Sequence, residues 1–187
     1  PYCSSSPCYG GAIYGDVDGN AIVEDSIFIG NSSGERGGAV ANVTQIIGSY
    51  FESNFAGQYG GAIFRRDFRN RLMTIEGNRF VANRCGGGGY CSILVGPAHI
   101  SNNVMINDEN RSDADIQAFS EGSYGTLVSN NLLVDTIFSA NTASGDIQFT
   151  NNIFLGGSGI NDEIGFVSIN NNYMNEDNLS PEISIDG

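Results

Sequence analysis

The sequence predicts an all-β protein, a right-handed parallel β-helix of about seven coils. Three observations predict it: a repeat of 20 to 29 residues, an alternation of apolar and polar residues within each repeat, and Gly-Gly-Ala tetrads that recur along the chain. Repeats of this length are typical of solenoids, in which each unit packs only against its neighbours. All 187 residues are expected to form one domain.

The repeat is defined by a column of large apolar residues. Segments such as "SIFIGN" (26–31), "NRFVAN" (78–83) and "NNIFLG" (151–156) align on it, and its members stand 23, 29, 25, 28, 21 and 20 residues apart. The column consists of Phe28, Phe51, Phe80, Met105, Leu133, Phe154 and Met174. Because apolar and polar residues alternate on either side of it, the column indicates strands, and we expect it to face the interior.

A second column of small polar residues stands two positions earlier in every repeat. Its members are Ser26, Ser49, Asn78, Asn103, Asn131, Asn152 and Asn172. We expect this column to lie where the chain bends between two strands, in left-handed backbone, which asparagine tolerates. The amides are predicted to bond to the coils above and below, so that their polar groups are satisfied inside the coil.

Gly-Gly-Ala tetrads begin at positions 10, 37 and 60 and mark a further corner of the coil. The two glycines supply the backbone freedom for the turn, and the alanine with the aliphatic residue after it is expected to begin the next strand.

The tetrad "GGAI" and the motif "FxxN", alternating over about residues 10–175, resemble the repeat of chlamydial polymorphic outer-membrane proteins and of secreted parallel β-helix proteins. The "NN" coils after residue 100 are similar to the repeat of the pectate-lyase-like superfamily. This resemblance implies a fold, whereas the activities of its members range from adhesins to polysaccharide lyases and hydrolases.

The net charge of −13 is unevenly distributed and argues against several partners. Residues 1–100 carry seven arginines and eight acidic residues, whereas residues 101–187 carry Arg111 and thirteen acidic residues. Such a surface repels phosphate groups, so we expect neither nucleic acid nor anionic membranes as partners. No run of eighteen apolar residues occurs, and no membrane span is predicted.

The four cysteines occur as two close pairs, Cys3 with Cys8 and Cys85 with Cys91. Neither pair has the spacing of a zinc site, so two local disulfides and an extracellular or cell-surface location are predicted. A disulfide would staple residues 1–9 as an N-terminal lid, and residues 177–187 would form the C-terminal end segment.

No catalytic residue is assigned, and no cofactor is expected. Polysaccharide cleavage needs a cluster of carboxylates and a basic residue, but the chain lacks lysine, and it lacks the paired Asp, Gly-His-Gly and Arg-x-Lys strings of polygalacturonase-like enzymes. The segment "DVDGN" (16–20) resembles a calcium loop, but Ala21 and Ile27 replace the glycine and glutamate of an EF-hand. A turn is the favoured interpretation, and a Ca²⁺ site that uses Asp16 and Asp18 is the alternative.

Two further surface features are candidates for contacts. The basic run 65–71, with Arg65, Arg66, Arg69 and Arg71, is predicted to be a loop that either grips acidic sugars or a partner, or only solubilises the coil. The sequons at Asn42 and Asn110 are predicted glycosylation sites.

These observations favour a non-catalytic extracellular rod, such as an adhesin stalk or a filament subunit. The alternative is a carbohydrate-active β-helix, either a polysaccharide lyase or hydrolase or a glycan-binding rod. Because a β-helix ends in unpaired strands, we expect either self-association or flanking domains of a larger surface protein.

Overall fold

The computed structural model describes residues 9–16, 20–65, 71–86, 92–107, 115–120, 125–142, 146–162 and 167–174. Within these ranges all regular elements are β-strands, and every pairing between strands is parallel. Strands that are neighbours in a sheet lie one repeat apart in the sequence. The predicted parallel β-helix of about seven coils is therefore confirmed.

Three sheets of seven strands and one of three strands run along the coil. Sheet 1 consists of β1 (Ile13–Tyr14), β5 (Val40–Ala41), β9 (Ile63–Arg65), β13 (Ile93–Val95), β16 (Ile116–Ser120), β19 (Ile137–Thr142) and β22 (Gly159–Asp162). Sheet 2 consists of β2 (Ile22–Glu24), β6 (Gln45–Ile47), β10 (Met73–Glu76), β14 (Ala98–Ser101), β17 (Thr126–Ser129), β20 (Ile147–Thr150) and β23 (Val167–Asn170).

Sheet 3 consists of β3 (Ile27–Ile29), β7 (Tyr50–Glu52), β11 (Arg79–Val81), β15 (Val104–Ile106), β18 (Leu132–Val134), β21 (Ile153–Leu155) and β24 (Tyr173–Met174). The short sheet 4 contains β4 (Ser32–Ser33), β8 (Phe55–Ala56) and β12 (Arg84–Cys85). The sequence predicted about three strands per repeat, and it did not predict this fourth sheet.

The large apolar column forms the inner face of sheet 3. The pairing register joins its seven residues from Phe28 to Met174 strand by strand. All except the partly buried Met174 are buried. The rings of Phe28, Phe51 and Phe80 stack with centroids 4.8 and 4.9 Å apart. Stacking side chains of one kind in successive coils gives each ring a matching partner, which stabilises the coil beyond the burial of apolar area.

The Ser/Asn column lies at the corner between sheets 2 and 3 and forms a hydrogen-bonded ladder. Asn103 is representative: its Oδ1 accepts from the backbone N–H and the Nδ2 of Asn78, at 2.9 and 3.1 Å. Its Nδ2 donates to the carbonyl of Ile75 and to Oδ1 of Asn131. Asn131 and Asn152 repeat this pattern. Each buried amide is thereby satisfied by the coils on both sides.

The expectation of left-handed backbone within the ladder was wrong by one residue. Positive φ angles occur at the residue immediately before each ladder residue, namely Asp25, Gly48, Gly77, Asn102, Asn130, Asn151 and Asn171. These positions carry glycine, asparagine or aspartate, the residues for which this region costs least. The turn and the buried amide are therefore supplied by neighbouring residues.

The Gly-Gly-Ala tetrads turn a corner as predicted, and their two glycines act differently. The first glycine has a positive φ, for example +64° at Gly60. At the second glycine the neighbouring coil approaches closely, and a Cβ on Gly61 would lie 2.2 Å from the carbonyl oxygen of Arg84. One position therefore requires glycine for its conformation and the other for its lack of a side chain.

Candidate functional site

The described residues form no recognisable catalytic centre. No group of three or more His, Cys, Asp and Glu side chains within them is placed to hold a metal ion. A cavity of about 10 Å³ lies inside the coil between Phe80, Met105, Asn107, Ile116 and Thr136. That volume suits one water molecule, so the cavity is too small for a substrate.

The outer face of sheet 3 is the most apolar exposed surface among the described sheets. Side chains alternate along a strand, so the residues on either side of the buried column point outward in two columns. One outer column is Ile27, Tyr50, Arg79, Val104, Leu132, Ile153 and Tyr173. The other is Ile29, Glu52, Val81, Ile106, Val134 and Leu155. We call these two columns the aliphatic face.

The aliphatic face is exposed at both ends and partly exposed between them. At its N-terminal end, Ile27 and Ile29 are 72% and 58% exposed. At its C-terminal end, Ile153, Leu155 and Tyr173 are also exposed. Seven strands spaced about 4.8 Å apart give the face a length of about 29 Å. Contiguous apolar surfaces of this kind are typical of interaction sites.

Three polar side chains interrupt the aliphatic face near its N-terminal end. They are Tyr50, Glu52 and Arg79, on the second and third strands of sheet 3. Burial, followed by a hydrogen bond to Glu52 and the charge of Glu52, raises the pKa of Tyr50, whereas the charge of Arg79 lowers it. The four strands from β15 to β24 present no charged side chain on this face within the described residues.

The outer face of sheet 1 is covered, in contrast to that of sheet 3. Its outward column includes Ala41, Phe64, Leu94, Gln117 and Ser139, all of them buried. The exposed long sheets are therefore sheets 2 and 3, and the short sheet 4 also presents exposed side chains at Ser32 and Phe55.

An arginine among aromatic rings lies at the N-terminal end of this covered face. The Cζ atom of Arg36 is 5.5, 5.7 and 5.2 Å from the ring centres of Tyr9, Tyr59 and Phe64. Tyr9 also stacks on Tyr14, whose side chain is exposed. Cation–π contacts of this kind favour a fixed guanidinium group. The sequence analysis did not identify this cluster.

A second asparagine ladder was also missed, although its "FxxN" motif was visible in the sequence. Asn31 donates to Oδ1 of Asn54 from both its backbone N–H and its Nδ2, each at 2.9 Å. Asn54 makes the same pair of bonds to Asn83, at 3.1 and 2.8 Å. This ladder lies beside sheet 4. Asn31 therefore belongs to the framework of the coil.

The predicted arginine contacts are only partly accessible. Arg65 is 2% exposed at the end of β9, so its assignment to a surface loop was wrong. Burial follows from strand alternation, because Arg65 shares the inward side of sheet 1 with Ile63 and pairs with buried Val95. Arg71 is exposed, whereas Arg66 and Arg69 lie outside the described residues.

The remaining candidate residues are placed as follows. Asn42 is buried and has a φ of +56°, which does not fit a glycosylation site. Asp16 is exposed. Cys85 is buried and is not a free thiol. Outside the described residues lie Asn110, Asp18, Cys3, Cys8 and Cys91, most of the predicted lid (1–9) and the end segment (177–187). The cysteine pairing and the Ca²⁺ site therefore stay predictions.

Comparison with known proteins assigns no family to the chain. No family model, no curated protein and no solved structure matches it. In the part of the chain that the structure describes, no helix is long and apolar enough to cross a membrane.

Proposed function

We propose that the protein is a non-catalytic extracellular or cell-surface β-helix, a structural rod or filament subunit whose copies associate in pairs through the aliphatic face of sheet 3. The observation that carries this proposal is that face: seven strands long, apolar except at Tyr50, Glu52 and Arg79, and exposed at both ends. Among the described residues, no group of His, Cys, Asp and Glu side chains is placed to hold a metal ion beside this face. Flat sheet surfaces suit association with another extended surface.

The superfamily and the secreted location are also part of the proposal, and sequence patterns support both. The "GGAI" and "FxxN" motifs lie at corners of a parallel coil, which supports membership of the pectate-lyase-like superfamily, close to the polymorphic outer-membrane proteins. The closely spaced cysteines support secretion, because disulfides persist in oxidising compartments. An adhesin stalk and a filament subunit are the two forms that such a rod would take.

Electron microscopy of the purified chain at several concentrations, together with an activity screen, tests this function. We expect rods that associate side by side, and no release of reducing ends or unsaturated products from acidic and neutral polysaccharides. A single polysaccharide cleaved at a rate proportional to protein concentration would contradict the non-catalytic assignment. Dispersed single rods at every concentration would contradict the filament form.

Glycan binding is a second candidate, favoured by the cluster around Arg36. The guanidinium group of Arg36 lies over the ring of Tyr9, which stacks on the exposed ring of Tyr14, so the cluster offers a hydrogen-bond donor and a stacking surface for a sugar. Glycan-array binding that is lost in Arg36→Gln and Tyr14→Ala, but kept in Ile27→Lys, would support this candidate. Binding unaffected by both cluster substitutions would exclude it.

A further inference from the structure

We propose that two copies of this chain pair side by side and antiparallel through their aliphatic faces, with the twofold axis running along β15. This inference rests on the proposed function and names the partner that the face binds. In this arrangement the two sheets face each other, and the coils of one copy run in the opposite direction to those of the other.

The size of the face favours an overlap along its whole length. Stable interfaces bury about 800 Å² on each partner, and seven short strands supply a face only about 29 Å long. An overlap limited to the four strands from β15 to β24 would use little more than half of it. The two most exposed aliphatic side chains, Ile27 and Ile29, would then stay in water.

The charge distribution determines the direction of pairing. Residues 1–100 are nearly neutral, with seven arginines against eight acidic residues, whereas residues 101–187 carry thirteen acidic residues and one arginine. Parallel pairing would place the two acidic halves side by side, and so would an overlap of the C-terminal strands alone. Full antiparallel pairing places each acidic half beside the nearly neutral half of the other copy, which minimises repulsion.

The axis position predicts which residues meet. Val104 and Ile106, on the fourth of seven strands, face the same residues of the second copy. Ile27, on the first strand, faces Tyr173 of the second copy, on the seventh. Arg79 and Glu52 face Leu132 and Leu155, and their apolar stems can lie along these side chains while the charged groups reach the rim.

Cysteine cross-linking tests this register directly. Under mild oxidation, Val104→Cys is expected to form a disulfide-linked dimer at least tenfold faster than His99→Cys. His99 is the matched control, since it is exposed on sheet 2 in the same coil. Ile27→Cys alone should not cross-link, because the two copies of residue 27 lie at opposite ends of the pair. A mixture of Ile27→Cys and Tyr173→Cys should yield the 27–173 link, identified by peptide mapping.

Each outcome of the cross-linking experiment decides the question. Equal rates for Val104→Cys and His99→Cys, or an Ile27→Cys chain that links to itself, would overturn the register. If multimers still appear in the microscope in that case, the proposed rod survives and only the antiparallel pairing fails. Absence of association in both experiments would overturn both. Circular dichroism with thermal unfolding shows that each variant is folded before it is oxidised.

Discussion

The outer faces of sheets 2 and 3 differ in chemistry, although both sheets have seven strands and share one interior. Sheet 2 presents mostly polar side chains: Glu24, Gln45, Thr74, Glu76, His99, Ser101, Ser129, Gln148, Thr150, Ser168 and Asn170, interrupted by Ile22, Ile47 and Leu127. Sheet 3 presents aliphatic side chains from β15 onward and at β3. Contact with water explains the polar outer face of sheet 2. It does not explain the aliphatic outer face of sheet 3, which stays exposed in an isolated chain.

Different residues determine the fold and the surface chemistry of the coil: the inward columns determine the fold, and the outward columns determine the surface. The inward columns of both sheets are apolar except at Thr126 of sheet 2, and the corner between the sheets is held by one Ser/Asn ladder. The outward columns of sheets 2 and 3 lie outside the large buried core cluster. An aliphatic outward column therefore indicates a binding surface, whereas a polar one indicates contact with water.

The largest predicted effect is the same for both sheets and concerns the shared interior. Phe80→Ala on sheet 3 and Phe149→Ala on sheet 2 should each lower the free energy of unfolding by about 3–5 kcal/mol, because each removes a buried ring from a packed stack. Chemical denaturation measures both. Val81→Ala, on the outer face next to Phe80, is the control and should change stability by less than about 1 kcal/mol. A cost confined to one sheet would contradict the shared core.

The second prediction concerns the corner that joins the two sheets. Asn103→Ala should cost about 3 kcal/mol, because the buried backbone N–H of Asn78 loses its acceptor and the carbonyl of Ile75 loses the donor that Asn103 supplies. Asn103→Ser should cost less, because a serine hydroxyl can make part of the same contacts. Ser49, two coils earlier in the ladder, shows this: its Oγ accepts from the backbone N–H of Ser26 and donates to the carbonyl of Ile47. Equal losses in the two variants, measured by thermal unfolding, would show that the hydrogen bonds of the ladder are not the cause.

The smallest predicted effect is a titration on the aliphatic face. The pKa of Tyr50 is raised above its ordinary value by burial first and by Glu52 second. Its contribution to stability is therefore fully present below the unfolded pKa of about 10 and is lost as the pH rises through the higher folded pKa. NMR of ¹³C-labelled tyrosine should show this shift, and Glu52→Gln should reduce it without abolishing it. A Tyr50 resonance that titrates at the ordinary value would contradict the effect of burial and of Glu52 on this side chain.

The sequence predicted the coil well because the coil depends on repeated inward residues. The column from Phe28 to Met174 and the Ser/Asn column recur in every repeat, so their common frame could be read without a structure. The position of the left-handed turn was missed by one residue. Gly48, Asn102 and their equivalents come directly before the ladder residues, and asparagine tolerates left-handed backbone at either of the two positions. The burial of Arg65 was missed because a run of arginines suggests a loop, whereas strand β9 continues through that residue.

The aliphatic face was missed although the sequence contained a signal for it. Triplets such as "IFI" (27–29), "VMI" (104–106) and "IFL" (153–155) are apolar at three consecutive positions, whereas "IQF" (147–149) on sheet 2 alternates. Only the middle residue of each triplet is buried by the coil. An apolar residue on both sides of an inward column predicts an outer surface that binds, and this test applies to the sequence of any solenoid.

Sedimentation equilibrium of two matched lysine variants tests the difference between the two faces most directly. Ile22 and Ile27 lie in the same coil, 52% and 72% exposed, on the outer faces of sheets 2 and 3 respectively. Both substitutions make the net charge less negative by the same amount. We predict that Ile27→Lys weakens self-association at least tenfold and that Ile22→Lys does not weaken it. Equal association of the two variants, or weaker association of Ile22→Lys, would contradict the assignment of the aliphatic face as the binding surface.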